Sequence, residues 1–244
     1  MGKTTVTANV GRALARTGKR TVLIDGDVGL NNLDVVLNAE DKILYDVGDV
    51  ARGRATIKQS LVDLDENLSL LPSVTACSAF VTREIFSEIC KQLSKDFDYV
   101  LIDSPAGVEE SFLRAVGAAE ESVIVATPHL ASVRDGYKTG RILSSMGFST
   151  QGLIINRIRG DFVLDSAMLD AGDISGAVKL PLYGVVPEDD YLNVKNLCDF
   201  SDKKSASAYS FTLIADYING TDKKLYDYLS PYRGLSGLFR RRIK

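Results

Sequence analysis

Three groups of residues in this 244-residue chain have the types and spacing to act on a phosphorylated ligand. The first is Gly2-Lys3-Thr4-Thr5, which runs into a helix-forming stretch. Gly2 lets backbone N–H groups approach phosphate, Lys3 is a point charge for its oxygens, and the Thr4 hydroxyl suits Mg²⁺. The spacing is that of the second half of Gly-x-x-x-x-Gly-Lys-Ser/Thr, a phosphate-binding loop that ordinarily follows a buried strand. The second group is Leu23-Ile24-Asp25-Gly26-Asp27. Two acids at spacing two leave an extended segment on the same side, so one can support a metal-bound water while the other faces an attacking water. A solvated acidic turn is the alternative, and it stays open on spacing alone. The third is Val100-Leu101-Ile102-Asp103-Ser104-Pro105-Ala106-Gly107. An aspartate ending a hydrophobic run can hold Mg²⁺ through water opposite the loop threonine. Pro105 and Gly107 then shape a loop able to respond to a γ-phosphate.

The elements around these residues alternate. Apolar runs at Thr21–Ile24, Tyr99–Ile102, Ser122–Ala126, Gly152–Ile155 and Tyr183–Val186 end at Asp25, Asp103, Thr127-Pro128, Asn156 and Pro187, and Leu68–Leu71 is a shorter run. Continuous Val/Ile/Leu runs suit strands covered on both faces of a parallel sheet. Helix-like stretches at Thr4–Thr17, Arg83–Ser94, Glu109–Ala118, Ser132–Met146 and Ala208–Ile218 separate them. The βα order predicts one α/β domain over 1–220, a doubly wound, mostly parallel sheet with helices on both faces. In such sheets ligands sit beyond the carboxyl ends of the strands. That rule selects Asp25, Asp27, Asp103, Asn156 and Pro187 independently of any motif.

Composition narrows the classes. With 45% hydrophobic and 25% charged residues the chain can bury a large core, and a net charge of -3 argues against a body built to bind nucleic acid. Cys77, Cys90 and Cys198 have no metal-ligand spacing, and one histidine, His129, leaves little for a zinc site or a Ser-His-Asp triad. Reduced thiols in a cytosolic protein are the expectation. No apolar run approaches the ~20 residues of a transmembrane helix. Residues 221–234 read as a tether to a basic tail, 235–244. At about 100° per residue, Leu235, Leu238, Phe239 and Ile243 share one arc, with Arg240, Arg241 and Lys244 mainly opposite and Arg242 intruding. That is the pattern of a helix lying in a membrane interface. A solvated basic tail is the alternative.

Taken together, the runs resemble the MinD branch of the deviant Walker A ATPases, whose relatives include the ParA partitioning ATPases. The matching runs are Gly2–Thr5, Asp25-x-Asp27-x-Gly29-Leu30-x-Asn32-Leu33-Asp34, Asp103–Gly107, Ser132-Val133-Arg134-Asp135 and Gly184–Asp189, followed by the basic amphipathic C-terminus. The resemblance implies a membrane-cycling ATPase that uses ATP and Mg²⁺, dimerises with ATP and recruits a division inhibitor to place the septum. It implies that Gly2, Lys3, Thr4 and Thr5 bind phosphate, and that Thr4 ligates Mg²⁺ with Asp25 and Asp103 in support. Asp27 would position or activate the water. Asn156 would read adenine, helped by Arg157, Pro187 and Glu188. Gly29, Asn32, Ser104, Pro105 and Gly107 would be switch and dimer elements. Asp135 would meet a MinC-like inhibitor and a MinE-like activator. Leu235, Leu238, Phe239, Arg240, Arg241 and Ile243 would bind an anionic membrane on the cytoplasmic face of the inner membrane.

The departure from the pattern is the family's early signature lysine, which this sequence lacks together with the first strand. The expectation is a chain truncated within its P-loop, its hydrolysis impaired by ~10²–10³ through loss of one transition-state charge. An interior strand's absence would leave two unpaired sheet edges. Two alternatives stand beside the leading reading: an inactive lipid-binding fragment, and a ParA- or flagellar-type ATPase acting on DNA or another cargo.

Overall fold

A computed structural model describes residues 2–27, 32–73, 80–105, 107, 109–221 and 223–234. The chain divides into two compact units, Lys3–Glu120 and Glu121–Lys244, the latter with Met1–Gly2. The first contains α1 (Lys3–Arg16), β1 (Thr21–Asp25), α2 (Leu33–Leu37), α3 (Val47–Ala51), α4 (Ile57–Ser60), β2 (Val62–Asp65), β3 (Leu68–Leu71), α5 (Arg83–Leu93), β4 (Tyr99–Asp103) and α6 (Glu110–Gly117). The second contains β5 (Ser122–Ala126), α7 (Leu130–Ser145), β6 (Gln151–Ile158), α8 (Gly160–Leu164), α9 (Ala171–Val178), β7 (Leu182–Pro187), α10 (Asp190–Lys195) and α11 (Ala206–Ile218).

In the first unit the strand order is β2-β3-β1-β4, with β1 parallel to both β3 and β4 and β2 antiparallel at the edge. Every residue of β1 is buried, as its unbroken apolar run predicts for an interior strand. Successive side chains point to opposite faces. Leu23 meets α1, where Gly11 permits the approach: a Cβ there would lie 2.5 Å from Leu23 Cδ2. Val22 and Ile24 pack on the other side with Phe86, Ile89, Cys90 and Leu93 of α5. The spacing of Val6, Val10, Ala13 and Leu14 gives α1 its buried stripe.

The second unit holds a parallel sheet in the order β5-β6-β7. A Cβ on Gly136 or Gly140 of α7 would lie 3.5 Å from Ile124 of β5, while Gly184 of β7 lies under Ile214 of α11, where a Cβ would collide. Register places Ile124 beside Leu153 and Gly184 beside Ile154, so the two helices cover opposite faces. The stretch expected as a tether contacts this unit. Tyr228 Oη accepts from the Ala171 N–H (3.1 Å), and a Cβ on Gly160 would strike the Tyr228 carbonyl.

The open, helix-covered architecture read from the sequence is therefore present, divided between two sheets. Among the described residues β4 pairs only with β1 and β5 only with β6. No helix among them is long and apolar enough to cross a membrane. Gly29 and the tail residues Leu235, Leu238, Phe239, Arg240, Arg241 and Ile243 lie outside the described residues.

Candidate functional site

The first unit brings most of the phosphate and metal candidates together. Lys3, Thr4 and Thr5 form the first turn of α1, which carries no acidic residue. Its first N–H groups have no intrahelical partners, and the helix dipole favours an anion there. Parallel pairing sets Asp25 directly beside Asp103, so two carboxylates stand at adjacent strand ends. Hydroxyls from α1 approach Asp103: Thr7 Oγ1 donates to Oδ1 at 3.2 Å, and Thr4 also hydrogen-bonds the carboxylate. Asp103 is only 4% exposed. Burial pushes its carboxyl up to about 6; the Thr4 bond opposes this, the Asp25 charge adds to it, and Thr7 and Lys3 pull it back. Thr7 escaped the sequence reading, although its place three residues after Thr4 puts both on one helical face.

Asp25 is used differently. Its Oδ1 accepts from the Asp27 N–H (2.9 Å), and its Oδ2 from the N–H groups of Asn32 (3.0 Å) and Leu33 (3.1 Å). Burial raises its pKa against those three bonds, with the Asp27 charge adding to the rise. Asp25 thus closes the loop between β1 and α2 and caps α2 from outside. Asn32, the N-cap residue, makes no side-chain cap bond and is exposed. Gly26 is required where it stands, because a Cβ would lie 2.7 Å from the Asp103 carbonyl that accepts its N–H at 2.9 Å. Asp27 is half-buried, and its carbonyl accepts from Ser73 Oγ at 3.3 Å. Beyond Asp103, Ser104 is half-buried and Pro105 buried. Gly107 has φ +86°, a left-handed conformation that favours glycine.

The second unit gathers the remaining candidates. β6 does not stop at Asn156 as the apolar run suggested; it continues to Ile158 through a register shift against β7. Within that irregularity Arg157 takes φ +63°, rare for a non-glycine residue, and its side chain is exposed. Asn156 is buried. Pro187 pairs with Ile158, and the Glu188 N–H donates to the Ile158 carbonyl at 2.9 Å, so all four predicted base-binding residues lie together. Glu188 Oε1 accepts from Asn193 Nδ2 at 2.7 Å. Gly2 has φ +78°, and a Cβ there would come within 2.7 Å of Asn156 Nδ2. Asp135 stands exposed on α7 beside Arg134.

Within the first unit, Lys3, Thr4, Asp25 and Asp103 fit the Mg²⁺ and phosphate end of a nucleotide. A cation near Asp103 would offset the unfavourable charge that burial and Asp25 impose on it. No cluster of three or more His, Cys, Asp or Glu among the described residues could hold a metal by itself. A hydroxyl, a carboxylate and phosphate oxygens is the donor set hard Mg²⁺ accepts.

The chain is similar to proteins of known family. Residues 1–196 match the family described as the CobQ/CobB/MinD/ParA nucleotide binding domain. The septum site-determining protein MinD of Synechocystis is 37% identical, the match covering 100% of this chain and 94% of that protein. The Aquifex aeolicus MinC:MinD cell division protein complex superposes with a TM-score of 0.84 at 34% identity, covering 93% of this chain and 94% of the other. MinD of Pyrococcus horikoshii, in complex with Mg-ADP, gives a TM-score of 0.79 at 27% identity, covering 89% and 90%.

Proposed function

Because the chain belongs to the CobQ/CobB/MinD/ParA nucleotide-binding family, and within it to the MinD septum-site ATPases, we propose that it hydrolyses ATP to drive a cycle of dimerisation and membrane attachment. The observation that carries this reading is the Thr4–Asp103–Asp25 arrangement at the foot of α1. The amides of Gly2 through Thr5 and the Lys3 ammonium neutralise phosphate oxygens. Thr4 and Asp103 hold the metal side, and Asp25 fixes the loop from which Asp27 orients the attacking water. Asn156, Arg157, Pro187 and Glu188 bind adenine. When bound, Mg²⁺ screens the phosphate oxygens and ATP supplies the phosphoryl group transferred to water.

Asn32 and the 103–107 loop respond to the γ-phosphate and build an ATP-dependent dimer contact. In the Aquifex complex the MinD chain is paired with MinC. A MinC-like inhibitor would meet this chain at the α7 face carrying Asp135, and a MinE-like activator would compete there. Segment 235–244 supplies the membrane arm on the cytoplasmic face. Its four basic residues contribute ~1 kcal/mol each near an anionic leaflet, and its apolar side chains ~1.5–3 kcal/mol apiece if fully buried. Ordering ten residues costs ~1 kcal/mol or more each. A single arm is therefore marginal, whereas two arms on one dimer gain effective concentration without a new contact.

Flotation of the chain on anionic liposomes, with phosphate release followed in parallel, tests the cycle. Attachment should be strong with ATP and weak with ADP, and Thr4→Ala should lose both the nucleotide dependence and the turnover. Equal flotation in ATP and ADP would reject the cycle.

A further inference from the structure

A second cationic feature lies on the helix that follows the 103–107 loop. Arg114 of α6 is only 6% exposed, yet neither its Nε nor its Nη1 has a hydrogen-bond partner among the described residues. A guanidinium does not shed its proton at ordinary pH. Burying one with unmet donors is therefore costly, and such groups normally meet a counter-charge. The natural candidate is Glu110, one turn earlier on α6 at the i,i+4 spacing. Glu110 is already engaged. Arg83, the first residue of α5, grips it with two bonds, Nε to Oε1 at 2.8 Å and Nη2 to Oε2 at 2.6 Å. That fork is largely solvent-exposed, with side-chain exposures of 46% for Arg83 and 61% for Glu110. Desolvation lowers the Arg114 pKa; Glu110 opposes this and Arg83 adds to it, so all three charges act on one another. Two guanidiniums thus act on one carboxylate, Arg83 takes both of its oxygens in hydrogen bonds, and Arg114 Nε and Nη1 are left without a hydrogen-bond acceptor.

We propose that Arg114, with Arg83 beside it, is the receptor for one oxyanion, a carboxylate or a phosphate, whose oxygens accept from the unmet donors. The anion supplies the missing counter-charge and so holds α6 in place. Because α6 begins just after Gly107, the bound anion biases the loop that Asp103 opens. Its identity is set by chemistry alone: a small, hard oxygen acceptor reaching a buried guanidinium. Free phosphate and a carboxylate both meet that description.

The experiment titrates inorganic phosphate and, separately, succinate into the chain by calorimetry at constant ionic strength, with chloride as control. The work is done in a Lys3→Ala background, so that phosphate held at the start of α1 is not counted and failure of the nucleotide reading stays distinguishable. Binding of either anion at one site is expected, with a matching rise in the urea midpoint. Arg114→Met, of similar size and uncharged, should weaken that binding by at least ~10-fold, the loss of one charge-assisted contact. Arg114→Lys should retain part of it. Phosphate alone or succinate alone would identify the source. Equal binding by Arg114→Met, no binding by the Lys3→Ala chain, or an equal effect of chloride would each overturn the proposal. Circular dichroism shows whether each variant is folded, and Arg114→Lys carries the test if Arg114→Met is not.

Discussion

The carboxyl of Asp103 gives a measurement with a definite sign. Its pKa stands at about 6 in the fold against 3.8 for an ordinary aspartate, chiefly through burial. A folded pKa above the unfolded one means the fold binds the proton more tightly. The contribution to stability is then complete below about pH 4 and is lost as pH rises through about 6. At pH 7.5 the ionised group costs about 3 kcal/mol, and at pH 4.5 about 1 kcal/mol. Asp103→Asn removes this dependence. It also disturbs the bonds from Thr4 and Thr7, at about 1 kcal/mol. The nucleotide-free variant should therefore match the parent at pH 4.5 and exceed it by about 2 kcal/mol at pH 7.5. Urea denaturation followed by circular dichroism reads this directly, since the chain has no tryptophan. Adding Mg²⁺ with nucleotide at pH 7.5 should restore the parent's stability and leave the variant unmoved. A stability difference that is the same at both pH values would refute the reasoning, because a purely steric effect carries no proton linkage.

Other perturbations follow from the same geometry. Asp25→Ala strands three backbone N–H groups and should lower stability by about 2–3 kcal/mol at pH 7.5; a urea midpoint within error of the parent would contradict the anchoring role. Cys90 is buried and its thiol pushed up to about 12. At pH 8 it should resist a maleimide, as mapped by mass spectrometry, until denaturant opens the fold, whereas labelling at the rate of a free thiol would exclude that burial. Val123 is 40% exposed on β5, which pairs on one side only among the described residues. Val123→Lys should therefore reduce self-association on size-exclusion chromatography at matched concentration, and an unchanged elution profile would count against edge pairing.

The sequence was legible where one physical signal dominated. Thr21–Ile24 and Tyr99–Ile102 announce strands because their side chains are apolar without interruption and an aspartate stops the run. β2 escaped because it is an edge strand with Asp63 and Asp65 along it, and only the pairing with β3 makes it a strand. α3 and α4 were missed although each carries a capping box, Asp46 with Asp49 and Thr56 with Gln59. One turn of helix has too few residues for periodicity to show, so only the caps could have revealed them. The continuation of β6 through Arg157 depends on a left-handed backbone at a non-glycine residue, which nothing in the run from Gly152 to Ile155 indicates.

The candidate site shows the same boundary more sharply. Spacing joined Asp25 to Asp27, the strand-end rule added Asp103, and strand pairing brings Asp25 and Asp103 side by side. What spacing does not contain is which oxygens are already spoken for. Asp25 spends both of its oxygens on three amides that cannot move without opening the loop to α2. Asp103 is held by threonine hydroxyls, which rotate about a single bond and can turn a lone pair instead of a proton toward a cation. Of two neighbouring carboxylates, the one bound by hydroxyls can therefore exchange partners at low cost, and the one bound by amides cannot. Under the proposed function a division of labour follows: Asp25 shapes the loop and Asp103 would answer the ligand. It arises from the donors each strand end meets, and those donors come from residues up to 96 positions away in the sequence.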